Sequence, residues 1–383
     1  MNRRFLTGAR VFTGESMLDG AGVLIEDGMI LDIADSPGAA ETVRLAADAL
    51  LTPGFIDLQV NGGGGVQFND TPDEATIRAI VAAHRRSGTT GLLPTFITDH
   101  PDKMRAAVEA ASACAATRGS GVLGLHLEGP YISLEKRGVH SAEFVRRPAA
   151  ADIAALCAAA ARFPAGGLLV SLAPEIVEDA SIARLAAAGI VVAGAHSLAD
   201  FDRTIAALGA GMRGFTHLFN AMPPIAGRAP GIAGAALADP DSWCGIIADG
   251  IHVHPAVLRL ALRAKPGKLF LVTDAMAPFG TSLDGFTLYG RPIRRRDGRL
   301  TTPDGTLAGA DLSLPQAVRN CRDLLGLGLD EALRMASLYP AQFLGRADRL
   351  GRIAPGFAAD LTLLGPALEV RGTWVDGEWQ SAG

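Results

Sequence analysis

This chain is short of lysine, of cysteine and of aromatic residues, and each shortage excludes something. Lysine occurs only at Lys103, Lys136, Lys265 and Lys268, and the formal net charge is −5 over 383 residues. No basic footprint for nucleic acid results. The sole basic cluster, Arg294-Arg295-Arg296, stands beside Asp297-Gly298 and reads as a solvated hairpin tip. The four cysteines, Cys114, Cys157, Cys244 and Cys321, form no close pair. They suit neither a disulfide frame nor a cysteine zinc knuckle, and are expected to be buried, reduced, inert thiols of a cytoplasmic protein. No stretch approaches the ~20 apolar residues of a membrane span. Met1-Asn2-Arg3-Arg4-Phe5 is not followed by the apolar core of a secretory signal.

What the chain does have is a series of short apolar runs, each ending in a residue that can hold a metal or move a proton. They are Gly54-Phe55-Ile56-Asp57-Leu58-Gln59, Leu123-Gly124-Leu125-His126-Leu127-Glu128, Val191-Val192-Ala193-Gly194-Ala195-His196, Gly214-Phe215-Thr216-His217, Ile246 through His252, and Phe270-Leu271-Val272-Thr273-Asp274. Runs of this length, bounded by Gly and Pro and alternating with helical stretches, mark buried parallel strands. Eight such runs begin near Phe55, Gly91, Val122, Leu168, Ile190, Phe215, Cys244 and Leu269. The fold class is therefore α/β, a (β/α)₈ barrel, whose active site gathers at the C-terminal ends of the strands.

Between the runs lie expected helices. One covers Ala75 to His84, and two others start at the N-cap candidates Asp152 and Ser181. Hairpins are expected over 281–306, marked by Asp284-Gly285, Asp297-Gly298 and Asp304-Gly305, with helices resuming from Leu314 to Leu344. Both ends look strand-rich, with Glu26-Asp27-Gly28-Met29 as a hairpin signal. Neither end alone offers enough apolar surface to be stable. A small β-sandwich domain built from residues 1–52 with 354–383, flanking a barrel over 53–353, is the expected organisation.

Glu128, His196 and His217 close three different strand runs, so a closed barrel would bring them to one rim. One carboxylate plus two imidazoles leaves a coordination position open for water, the mark of a catalytic site. Zinc, iron(II) or cobalt would all suit these donors. Asp274 emerges from its run into a small-residue loop and could accept a proton from a metal-activated water. Of His252 and His254, His252 stands nearer the strand end. Asp57 and Gln59 share one face of the first strand. They stand where many metal-dependent hydrolases of this architecture place His-x-His, and the fourth run offers no bridging lysine. One divalent cation per subunit follows, not two. Asn61-Gly62-Gly63-Gly64-Gly65 reads as a flexible rim loop, and Arg228 lies on a long loop suited to reach a charged group.

Taken together these stretches resemble the N-acetylglucosamine-6-phosphate deacetylase family of the amidohydrolase superfamily. The carrying motifs are Pro53 through Gly62, Leu125-His126-Leu127-Glu128-Gly129-Pro130, Gly194-Ala195-His196-Ser197, Thr216 through Met222, Ile247 through His252, Val272-Thr273-Asp274-Ala275, Leu307-Ala308-Gly309 and Met335 through Pro340. The resemblance implies Glu128, His196 and His217 as metal ligands and Asp274 as catalytic acid and base. It also implies contacts to an amino-sugar phosphate at Val139, His140, Asn220, Ala221, Arg228, Asp249, Gly250, Ile251, His252, Leu307, Ala308 and Gly309. His140 would further stabilise the developing oxyanion. A homodimer, with Arg228 reaching the neighbouring site, is implied as well. The expected reaction is deacetylation of N-acetylglucosamine 6-phosphate. The galacto epimer and a non-catalytic, ligand-binding barrel are the alternatives.

Overall fold

The computed structural model describes residues 3–382, so Met1, Asn2 and Gly383 lie outside the described residues. All eight anticipated strands form and pair in parallel in chain order: β1 (Phe55–Val60), β2 (Thr89–Ile97), β3 (Leu125–Glu128), β4 (Leu168–Leu172), β5 (Val191–Gly194), β6 (Gly214–Phe215), β7 (Trp243–Ile246) and β8 (Leu269–Leu271). Every residue of these strands is buried, which is why each reads as an unbroken apolar run rather than an alternation.

The sheet closes at its C-terminal rim rather than along full strand edges. Val60 bridges Ala275 in parallel, and the Asp274 N–H donates to the Gln59 carbonyl at 2.9 Å. Below them the Asp57 carboxylate accepts the Thr273 hydroxyl at 2.6 Å and the Thr273 N–H at 3.2 Å. Burial pushes the Asp57 carboxyl up to about 7, against these hydrogen bonds. Asp57 thus serves the seam of the barrel.

The segment 61–65 is not a loose loop. Gly62–Gly63 pairs antiparallel with Val66–Gln67, and the N–H groups of Asn61 and Gly62 both donate to the Ala275 carbonyl, at 2.9 and 3.0 Å. The Gly64 and Gly65 N–H groups donate to Phe279 and Ala277. His84, on the helix Glu74–Arg86, stacks on Phe279 at 4.1 Å and meets the Gly62 carbonyl through Nε2 at 3.0 Å. The glycines are there for close backbone approach: a Cβ on Gly62 would fall 2.6 Å from the Ala277 nitrogen.

The helix caps show a smaller difference. Asp73 caps its helix as expected for this residue type, accepting from Thr76 N–H at 2.8 Å. Asp152 is not an N-cap: its helix begins at Ala150, and its carboxylate reaches back to the Ala149 N–H at 2.8 Å. Ser181 likewise lies inside a helix that starts at Asp179. Local side-chain chemistry marks the right turn of chain but not the right residue.

After β8 comes a four-stranded antiparallel sheet of Gly285–Leu288, Arg291–Arg296, Arg299–Thr301 and Leu307–Ala310. Asp297-Gly298 and Asp304-Gly305 occupy its turns, whereas Gly285 opens its first strand. Arg295 is no solvated tip. It is half-buried and grips Asp311 with two hydrogen bonds of 2.7 and 2.9 Å. Three helices, Leu314–Asp323, Leu329–Ala336 and Leu338–Phe343, complete the barrel.

The chain ends meet in two further sheets, one of four strands and one of six. The six-stranded sheet is mixed in origin: Leu50–Pro53 pairs antiparallel with Leu361–Leu364. Leu6, Val23, Ile30, Leu51, Leu361 and Trp374 from both sheets share one core, which makes a sandwich. Among the described residues no helix is long and apolar enough to cross a membrane. The four cysteines are free; Cys114, Cys244 and Cys321 are buried, while Cys157 is only half-buried, a departure from the expected uniform burial.

Candidate active site

The ends of β3, β5 and β6 deliver Glu128, His196 and His217 to one point. Their candidate ligand atoms all lie within 4.8 Å of one another. His217 Nε2 is 2.8 Å and His196 Nε2 is 3.2 Å from Glu128 Oε1, and the two imidazole nitrogens stand 3.1 Å apart. All three residues are buried.

The hydrogen bonding of His196 shows what this cluster can hold. Its Nδ1 lies 2.7 Å from the Lys136 carbonyl, which can only accept, so Nδ1 carries the proton. In a neutral ring Nε2 then presents a lone pair to a carboxylate oxygen and to a second imidazole. Three lone pairs converging at this distance fit a shared cation.

Asp274 faces this cluster from the β8 rim. Its Oδ1 accepts from Asn61 Nδ2 at 2.6 Å and from Gln59 Nε2 at 3.2 Å. Burial, then the charge of Glu128, raise its carboxyl to about 6. A carboxylate poised near neutrality can take a proton and return it. His140 packs 4.4 Å from the His196 ring and meets the Thr98 hydroxyl through Nδ1 at 2.9 Å. Burial, then the neighbouring His196, push it down to about 3, so its ring is neutral. His252 is oriented by Asp249, whose Oδ2 accepts from Nδ1 at 2.6 Å while Oδ1 accepts the backbone N–H groups of Ile251 and His252.

A cavity of about 520 Å³ opens over these groups, a size suited to a small polar metabolite. A model of the family described as "Amidohydrolase family" matches residues 50–380. The chain belongs to the amidohydrolase family.

Relatives of this amidohydrolase carry more specific names. It is 39% identical over 97% of its length to an N-acetylgalactosamine-6-phosphate deacetylase of Shewanella sp. (strain ANA-3), covering 94% of that protein. It is 38% identical to the N-acetylglucosamine-6-phosphate deacetylase of Homo sapiens, covering 98% of this chain and 97% of the other. The crystal structure of N-acetylglucosamine-6-phosphate deacetylase from Pasteurella multocida superposes with a TM-score of 0.95 at 37% identity, over 99% of this chain and 100% of that one. The chain is a hydrolytic enzyme of a metal-dependent family, with a residue cluster that could hold the metal.

Most residues singled out from sequence converge on the cavity. Glu128, His196, His217, Asp274, Val139, His140, Asn220, Ala221, His252, Leu307 and Gly309 line it. Asp249, Gly250, Ile251, Ala308 and Arg228 are not among its lining residues. Asp249 acts on the cavity through His252, and Arg228 sits exposed on its own loop. Sequence reasoning passed over Asn61, whose amide grips Asp274; its place at the end of β1 was the available signal, hidden by the glycines that follow. It also missed Thr98, which orients His140, and the Lys136 carbonyl, for which no side-chain pattern exists.

Proposed function

We propose that this amidohydrolase cleaves the acetamido group of N-acetylglucosamine 6-phosphate, giving glucosamine 6-phosphate and acetate. The observation that carries this reading is Asp274 standing beside the Glu128–His196–His217 cluster inside a cavity of about 520 Å³. Those three side chains would hold one divalent cation, zinc by preference. When bound there, it would supply Lewis-acid activation of the hydrolytic water and of the amide carbonyl.

The chain's own residues account for the proton traffic. Two amide donors occupy Asp274 Oδ1, which leaves Oδ2 to take the proton of the attacking water. The same carboxyl, now protonated, hands that proton to the departing nitrogen, because an amine leaves poorly unless protonated. His140 would donate from Nε2 to the oxyanion; for this its Nδ1 must accept from the Thr98 hydroxyl, a geometry compatible with their 2.9 Å separation. His252, its Nδ1 proton engaged by Asp249, offers Nε2 as an acceptor to a substrate hydroxyl.

We further propose a homodimer in which Arg228 serves the neighbouring cavity, a reading its exposed position outside its own cavity supports. The chain would divide into residues 1–52 with 354–383 and residues 53–353. The galacto epimer is a second reading, favoured by the name of the Shewanella relative. Acetate release from both sugar phosphates, before and after chelation, tests these points together. Higher kcat/KM on the gluco substrate, lost on chelation, is expected. Preference for the galacto epimer would move the assignment to that sugar, and binding without acetate release would end it.

A further inference from the structure

Two buried polar atoms beneath the metal cluster have no partner among the described residues, and both turn away from the cluster for the same reason. Gln59 Nε2 lies 3.3 Å from each oxygen of Glu128 and 3.2 Å from Asp274 Oδ1. Carboxylates only accept, so the amide nitrogen must face them and Oε1 must point away. His217 behaves alike: its Nε2 is 2.8 Å from Glu128 Oε1, which directs Nδ1 to the opposite side. Gln59 Oε1 and His217 Nδ1 are both buried and unpartnered. A metal-bound histidine almost always donates its other N–H to a carbonyl, carboxylate or water, and that bond fixes the tautomer.

Gln59 and His217 both line a small cavity under the site, among Phe270, Val272 and Phe343. Its volume is about 10 Å³, room for one water and little else. We propose that this cavity is a structural water site, in which one water accepts from His217 Nδ1–H and donates to Gln59 Oε1. The inference rests on the reading of His217 as a metal ligand through Nε2. It assigns Gln59 as a positioning residue with two faces. Its nitrogen spaces the Glu128 and Asp274 carboxylates, while its oxygen, through the water, holds His217 in the tautomer that offers Nε2 to the cation.

A crystal structure of the zinc-loaded protein at about 1.5 Å, with zinc content measured on the same preparation, is the direct test. One ordered water within hydrogen-bonding distance of both atoms is expected. One zinc per chain over a dry cavity would overturn this inference alone, whereas protein that takes up no zinc would overturn the metal reading and this inference with it. Val272→Ile provides an independent arm, since it fills the cavity without removing a hydrogen bond. If the water orients His217, zinc affinity by chelator competition falls about 10–100-fold, with the melting temperature of the metal-free protein kept or raised. Unchanged zinc affinity in that variant would refute the water site.

Discussion

The barrel rim and the terminal sandwich both place non-glycine residues in the left-handed backbone region, but for different reasons. At two tight hairpins of the sandwich Asp27 (φ 49°) and Asp376 (φ 52°) precede Gly28 and Gly377, where Asp-Gly is the local solution to the turn, whereas Leu368 (φ 60°) in a third turn is followed by Glu369. At the rim His196 (φ 46°), His217 (φ 34°) and Asp274 (φ 52°) adopt the same conformation with no glycine following. Backbone of neighbouring elements clamps them instead. The His196 carbonyl accepts from Ser133 N–H; Leu218 N–H, next to His217, donates to Gly245; Asp274 donates to Gln59 and accepts from Ala310. Strain that local sequence does not relieve costs about 1–3 kcal/mol per residue and persists where surrounding structure over-determines it. Here His196, His217 and Asp274 are among the residues proposed to hold the metal and move the proton; Phe219 (φ 75°) and Ala221 (φ 51°), in the turn after His217, share the conformation.

The contrast is sharpest where it meets chemistry. Asp274→Asn keeps the size and the backbone position but cannot take a proton. Turnover should fall about 10³-fold, within the range of general acid–base catalysis, while elemental analysis shows unchanged metal content. Near-normal kcat would detach the strained rim from the reaction and leave it a packing feature.

The two regions should also answer pH with opposite signs. His84, beneath the rim, is pushed from 6.5 down to about 4 by burial, with the Gly62 carbonyl pulling the other way. A base depressed on folding stabilises the protein above its unfolded pKa, so this contribution, about 3 kcal/mol, is lost as pH falls from 6.5 through 4. His84→Phe would keep the stack on Phe279 and abolish that acid slope in denaturant midpoints. Asp360, in the sandwich, is raised from 3.8 to about 6, first by burial, with the Asp376 N–H opposing at 2.7 Å. An acid raised on folding stabilises only below its unfolded pKa, and that contribution is lost as pH rises through 6. Asp360 keeps some surface open to the groove beside Arg346, and solvent there screens it. Asp360→Asn, which retains an acceptor for the Asp376 N–H, should gain about 1–2 kcal/mol at pH 7 and nothing below pH 4. Equal midpoints at pH 7 would show that water already solvates this carboxylate.

The sequence made the rim more legible than its supports. Buried parallel strands write continuous apolar runs, so all eight strands and the polar residues ending them could be read directly. Side chains that act sideways were not legible. Asn61 stands among glycines whose role is close packing, and its grip on Asp274 depends on a loop over 200 residues away in the chain. Arg295 read as surface because its partner, Asp311, lies across a strand pair. Gln59 could be read only as the absence of a second metal ligand, because its two-sided hydrogen bonding exists only after closure. The Asp-Gly turns of the sandwich were legible for the opposite reason: Asp-Gly carries its whole explanation in two residues.

That last point yields the smallest effect and a clean control. Asp27 joins the strands Gly22–Glu26 and Met29–Ala34, far along the chain from every residue of the cavity. Asp27→Ala removes the side chain best suited to a left-handed turn and keeps Gly28. The cost should be about 1 kcal/mol, the typical penalty for an L-residue held there, read as a small drop in melting temperature. Because the strain is solved locally, kcat/KM should not change. A fall in kcat/KM beyond twofold would mean that the sandwich tunes the rim after all, and the division between locally relieved strain and strain imposed by neighbouring elements would have to be abandoned.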